Sequence, residues 1–253
     1  MSTNVDANIS MSSTLDNGMS LSGLVSLDEG GVDDSGWSIS GDFGKVAFGG
    51  TANDGFGATN TGLTADEGTT LSSDYWGVHN DAIPHSNVSV TLPAVSGFTI
   101  GLGFTDGATT AADGSQWGVT YAMDAGSMGI TVAYASASDG SNNDQSSAGV
   151  TVTAGDAKVV VATNKKTASS ATHTANSIGA SYAVSDALSV QAYSGTTELS
   201  SNAAYEVKDT GMGLTYTVTP GLSISITNND FSGKGLTSDQ DGTRTVIALD
   251  ATF

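Results

Sequence analysis

Phe98-Thr99-Ile100-Gly101-Leu102-Gly103-Phe104-Thr105 sets a bulky apolar side chain at every second position and puts only Thr and Gly between. Successive side chains of a β-strand point to opposite faces. The stretch therefore reads as a strand with one face of Phe, Ile and Leu and one face of very small residues. Residues 87–94 alternate in the same way, and Val95-Ser96-Gly97 between them has the composition of a tight turn. The two segments form a hairpin.

Outward from this hairpin the pattern repeats along the chain. Fifteen candidate strands follow: residues 5–14, 19–27, a short third strand led by Trp37 and Ile39, 43–50, 87–94, 98–105, the segments around Trp117–Met123 and Met128–Tyr134, 147–153, 157–163, 176–184, 188–196, 211–218, 222–228 and 245–253. Short connections fall at Asp16-Asn17-Gly18, Gly41-Asp42, Val95-Ser96-Gly97, Asp124-Ala125-Gly126, Ala154-Gly155-Asp156, Ser185-Asp186-Ala187 and Thr219-Pro220-Gly221. Long, acidic, Gly/Ser/Asn-rich loops alternate with them. A meander with tight turns on one rim and long loops on the other is the build of an antiparallel transmembrane β-barrel of the outer-membrane type. The expectation is one all-β domain over residues 1–253, with short periplasmic turns, long extracellular loops and a water-filled interior.

Composition agrees with that build. Leu, Ile, Val and Phe together number 50 of 253 residues, close to the range in which chains stay unfolded. Only 13% of residues are charged, however, and the apolar ones are spaced at every second position. A barrel around water needs bulk on its lipid side alone, so a small apolar total suffices. Seven basic residues stand against 26 acidic ones, for a net charge of −19. With no basic patch, nucleic-acid binding is excluded. No apolar run reaches the length of a membrane-spanning helix. The chain has no cysteine, which rules out disulfides. Met1 to Ile9 carries neither a basic start nor an apolar stretch, so no export signal is present in it.

Strand counting adds an expectation. The first strand starts on the long-loop side and the last ends on the short-turn side, so fifteen strands leave the two chain ends on opposite rims. A closed antiparallel barrel calls for an even number, and open edges in lipid leave backbone groups unpaired. The natural protein is expected to have sixteen strands, with its first strand and signal peptide missing from this chain.

Phe43-Gly44-Lys45-Val46-Ala47-Phe48-Gly49-Gly50 resembles a strand of the general porins of Gram-negative bacteria, the alphaproteobacterial ones especially. Residues 14–23, Thr-Leu-Asp-Asn-Gly-Met-Ser-Leu-Ser-Gly, resemble a Thr-x-x-Asp-x-Gly-Leu hairpin of that family. The closing Ala248-Leu249-Asp250-Ala251-Thr252-Phe253 is similar to its last strand, whose terminal Phe is the assembly signal. The resemblance covers almost the whole chain in order. It implies a sixteen-stranded barrel, a homotrimer in the outer membrane of a Gram-negative bacterium, and passive passage of small hydrophilic solutes. It also implies that the third long loop, here residues 51–86, folds inward and narrows the channel. A 36-residue connection is far longer than ordinary loops.

On that basis the pore constriction is expected to comprise Lys45, on the inward face of the fourth strand by parity, and the loop acids Asp54, Asp66, Glu67, Asp74 and Asp81. Phe56, Tyr75 and Trp76 would anchor the loop. The family sets such acids against wall arginines. Here Arg244 is the one arginine, and it reads as lying at a strand end beside a long loop. Lys158 reads as inward but near the short-turn rim. The field is expected to be one-sided and negative, favouring cations.

Other constellations carry less. His79, Asp81 and His85 are too loosely spaced for a zinc site and read as polar loop residues. Asp28-Glu29 with Asp33-Asp34, Asp139 with Asp144, and Asp239 with Asp241 have the oxygen chemistry for Ca²⁺, but no EF-hand or nonapeptide repeat surrounds them. These runs read by default as a solvated acidic rim, with Ca²⁺ as the alternative; no Ser sits in a nucleophile elbow, so the chain is not expected to be an enzyme and no cofactor is expected. Trp37, Phe43, Phe98, Tyr182, Tyr216 and Phe253 read as an aromatic belt at the short-turn side, and Trp117, Tyr134 and Phe104 as a second belt. The rival reading is a soluble or cell-surface structural β protein, such as an adhesin or surface-layer module. Solubility without detergent would separate the two.

Overall fold

The computed structural model describes residues 7–28, 31–49, 87–105, 113–138, 143–168, 171–234 and 240–251. Fifteen strands run antiparallel in one sheet, in chain order. The described residues contain no helix long and apolar enough to cross a membrane. The chain divides into two compact units, and β7 (Gly114–Ala125), β8 (Met128–Ser138) and β9 (Asn143–Ala154) run through both.

The first unit contains β1 (Ala7–Thr14), β2 (Ser20–Asp28), β3 (Gly31–Gly41), β4 (Gly44–Gly49), β5 (Val88–Thr91), β6 (Phe98–Thr105), residues 114–121 of β7 and residues 134–138 of β8. Register turns the alternation of single strands into continuous rows. Ser38, Ala47, Ser89, Gly103 and Gln116 stand level across β3 to β7, and all five are buried. On the opposite face Trp37, Phe48, Val88 and Phe104 stand level. Trp37 stacks on Phe48 at 4.1 Å, Phe98 lies 4.4 Å from Tyr121, and Trp117 lies 5.3 Å from Tyr134. Such ring pairs add about 0.5–1.5 kcal/mol each beyond area burial. Trp37, Phe98, Phe104 and Trp117 remain substantially exposed on this face.

The second unit holds residues 122–125 of β7, 128–133 of β8 and 145–154 of β9 (Asn143–Ala154). With them are β10 (Ala157–Ala168), β11 (Ala171–Ser185), β12 (Leu188–Leu199), β13 (Asn202–Thr219), β14 (Leu222–Lys234) and β15 (Gln240–Ala251). Here too the bulky side is open. Leu214, Ile226 and Ile247 stand level and exposed across β13 to β15. A soluble fold would seal such a row inside; lipid is the solvent that tolerates it.

The turns follow their residues. Gly18 adopts φ +81°, beside an Asn17 Oδ1 that accepts the Met19 amide at 3.2 Å. Gly44 adopts φ +102°, and a Cβ there would run into the Thr91 carbonyl. Both positions need a residue without a side chain.

Three expectations change. First, β5 ends at Thr91 rather than residue 94. The Leu92 amide still donates to the Ile100 carbonyl at 2.8 Å, but Pro93 has no amide to give the ladder, and the next bridge is Val95–Phe98. Second, β3 is not short: it reaches back to Gly31, and register puts Trp37 level with Phe104 rather than in the short-turn belt. Third, several segments read as long loops are strand. The ladders continue to Asp28–Gly31, Ala168–Ala171, Leu199–Asn202 and Gly233–Gln240. An 18-residue β13 far exceeds the roughly 9–11 residues that span a bilayer. Its outward side chains change from Val218, Tyr216, Leu214 and Met212 to Thr210 and Lys208 as it leaves the apolar band.

Candidate functional site

The small-residue face of β11 to β15 carries a polar group in the middle of the second unit. Gly179, Tyr193, Gly211, Asn229 and Arg244 stand level, one from each strand. Two residues further toward the loop end stand Ser177, Gly195, Asp209, Phe231 and Gly242. Glycines make room for the rings. A Cβ on Gly211 would run into the Tyr193 ring, and one on Gly242 would come within 2.8 Å of Phe231. Each aromatic therefore lies flat across the neighbouring strand instead of standing off the face.

Laid down in this way, the Tyr193 hydroxyl donates to Asp209 Oδ2 at 3.0 Å. The Thr210 amide also leans on that carboxylate. Asp209 is 1% exposed and Asn229 2%. Several buried polar atoms on this face have no hydrogen-bond partner: Asp209 Oδ1, Asn229 Oδ1, Arg244 Nη1, Ser177 Oγ and Asn164 Nδ2. Apart from Asp250 at the short-turn end of β15, the other described acids of β12 to β15 face away. Glu198, Glu206, Asp230 and Asp241 fall on the bulky side by register, where Asp230 accepts from Thr243 Oγ1 at 2.5 Å and Glu206 pairs with Lys208 at 2.9 Å.

The structure places the expected residues unevenly. Lys45 is exposed on the small-residue face of the first unit, between Ser40 and Thr91 and one residue beyond Gly44. It stands at the short-turn end of β4. Lys158 holds the equivalent place on β10, opposite Ser181. Asp54, Asp66, Glu67, Asp74 and Asp81 lie outside the described residues, as do Phe253, His79 and His85. Arg244 is not at a strand end. It lies inside β15 on the small-residue face, directly opposite Asn229. The described residues contain no group of three or more His, Cys, Asp or Glu side chains close enough to hold a metal ion.

Sequence reading missed Tyr193, Asp209 and Asn229. Asp209 was hidden because residues 197–210 read as loop. One signal was present: from Ser189 to Thr197, Tyr193 is a large ring on the parity otherwise occupied by Ser, Gln, Gly and Thr. Above the apolar band His173 faces Lys166 across the β10–β11 ladder. Burial first, and the Lys166 charge second, push its imidazole below its ordinary value.

Comparison with known proteins gives this architecture its class. The Gram-negative porin family profile matches residues 1–236. The chain belongs to the Gram-negative porin family, a family of outer-membrane channels rather than enzymes, and its place is the outer membrane of a Gram-negative bacterium. Among solved structures it is similar to the anion-selective porin from Comamonas acidovorans, at 14% identity and a TM-score of 0.68 over 98% of this chain and 86% of that one. It is similar to OmpT, an outer membrane protein of Vibrio cholerae, at 17% identity and TM-score 0.65 over 98% and 86%. A mutant of the Rh. blastica porin aligns at 17% identity and TM-score 0.66 over 97% and 90%. At these identities the likeness establishes the porin barrel fold. No curated protein matches the chain in sequence.

Proposed function

We propose that this porin is a passive diffusion channel for small hydrophilic solutes and ions, that it prefers cations, and that it performs no catalysis. The observation that carries the reading is the pair of faces. Rows of small, polar-capable residues back rows of exposed bulky ones, strand after strand, which suits water on one side and outer-membrane lipid on the other. Nothing in such a channel needs to react. Solutes are sorted by width and by field.

Cation preference rests on charge. Seven basic residues against 26 acidic ones bias the chain as a whole toward negative charge, which a low-dielectric wall would focus, against the positive charges of Lys45, Lys158 and Arg244 on the small-residue face. Lys45 with Asp54, Asp66, Glu67, Asp74 and Asp81 is the proposed constriction, and Phe253 the proposed assembly signal. A homotrimer is proposed by analogy with the trimer form of the Vibrio cholerae OmpT protein, at 16% identity. No cofactor is part of the proposal; the acidic runs near Asp28, Asp144 and Asp241 are proposed as a solvated rim, with Ca²⁺ binding there as the alternative.

Planar bilayers test it. The purified protein should raise conductance in steps, and in a KCl gradient the zero-current potential should take the sign of faster K⁺ passage. A sealed membrane contradicts the channel. The opposite sign, as in an anion-selective porin, contradicts the preference.

A further inference from the structure

We propose that a trough on the bulky face of β8 to β12 seats the outer-leaflet lipid of this membrane, a phosphorylated glycolipid, with one acyl chain in the trough and a headgroup phosphate on Lys208. The inference rests on the outer-membrane placement given above and is independent of the ion preference. The trough has a volume of about 550 Å³ and lies wholly within the second unit. Register gives its shape. Val161, Ile178 and Ser194 stand level on one bank, and Thr163, Asn176 and Thr196 on the other. Both banks belong to the bulky face, where Val161 is 49% and Ile178 52% exposed. Between them Ala162, Ser177 and Gly195 point to the other face, so the floor is backbone. Rows two residues apart along a strand are separated by about 7 Å, room for one hydrocarbon chain.

The trough changes character along its length. On β8 to β10 Val132, Ala148, Val150 and Val161 make it apolar. Across β11 and β12 it turns polar, and at β13 it ends against Thr210 and Lys208. Ser194 stands level with Thr210, their hydroxyls 3.2 Å apart, and Thr196 stands level with Lys208. Plain hydrocarbon gives the Asn176 amide and the hydroxyls of that bank nothing to bond, whereas a glycolipid brings hydroxyls of its own. Thr210 and Lys208 also mark where β13 leaves the apolar band toward the long loops, the level of the outer leaflet. The Lys208 side chain is 52% exposed, and its ion pair with Glu206 at 2.9 Å holds it there. An ammonium has three donors, so it can take a phosphate oxygen as well. Glu198 and Glu206 stand one row further toward the loops, in a row that Lys165 and Lys234 close at its two ends. Asp230 and Asp241 lie one and two strands beyond β13. Lys208 is therefore the charge that meets the end of the trough.

The test uses the full chain purified in detergent, with native mass spectrometry reading the lipid it retains. The probes are lipid A, the acylated and phosphorylated disaccharide of that leaflet, and two rivals, phosphatidylglycerol and phosphatidylcholine. One lipid A per chain should be retained in preference to either phospholipid. Ser194→Trp fills the trough with the kind of bulky side chain this face carries elsewhere, and should abolish retention. Lys208→Gln should weaken it about fivefold, the loss expected for one basic side chain at an anionic lipid surface. Ile226→Trp, on the same face but outside the trough, should leave it unchanged. Undiminished lipid A on Ser194→Trp overturns the inference. If that variant does not assemble, undiminished lipid A on Lys208→Gln overturns it instead. Phosphatidylglycerol held as tightly as lipid A overturns the glycolipid. So does a wild-type chain that retains no lipid A but self-associates through the trough, an association that Ser194→Trp disperses.

Discussion

Tyr193 shows how much a single side chain can decide on a wall of small residues. Its ring occupies the space that a side chain on Gly211 would need. Gly211→Ala therefore forces the ring to move and loosens its hold on Asp209. Overpacking of this kind costs about 1–3 kcal/mol. Denaturant unfolding in detergent should show that loss, and Tyr193→Ala in the same background should recover part of it. A second residue-scale consequence concerns His173. Its folded pKa is depressed, so the unfolded chain takes up the proton first as pH falls. Stability is whole above the unfolded value of about 6.5 and is lost as pH drops from there through the lower folded value. NMR titration of the imidazole should give a midpoint below that of a free histidine; a midpoint at or above it contradicts the burial and the Lys166 proximity described.

At the level of the strand, the lower and upper halves of each hairpin behave differently. Near the short turns one face meets lipid, so bulk recurs at every second residue and the strand can be read from sequence. Phe98–Thr105 is found with the same limits in the sequence and in the structure. Above the apolar band water bathes both faces, alternation loses its apolar signature, and residues 197–210 read as loop although the β12–β13 ladder runs through most of them. That difference concealed Asp209 and misplaced Arg244. Trp37 was misjudged for another reason: parity gives a residue's face, whereas its height depends on the partner strand, and register sets it beside Phe48. Side chains on the two faces should accordingly respond in opposite ways. Ile226→Lys, between Leu214 and Ile247 on the bulky side, should cost about 2–4 kcal/mol. Ser225→Lys, one residue away on the other face, should cost markedly less in the same refolding assay.

For the whole molecule, the common thread among the described residues is a sheet whose apolar side lies open in the single chain. Ile247 is 71% exposed and Leu249 67%, values that a water-soluble protein would pay for in aggregation. In a membrane the same exposure is the anchoring surface, and the small-residue side becomes the wall of a passage. The porin family match fits that division of labour.

The absence of cysteine allows the division to be read one residue at a time, because each introduced thiol is unique. Single cysteines along β14 at 223, 224, 225, 226 and 227 can be probed in the reconstituted protein with a charged, water-soluble thiol reagent and, on fluorophore-labelled samples, with a lipid-borne quencher. The account predicts strict alternation: 223, 225 and 227 react from water, while 224 and 226 react poorly and are quenched from lipid. Equal reactivity along the strand, or lipid quenching at the odd positions, would contradict it.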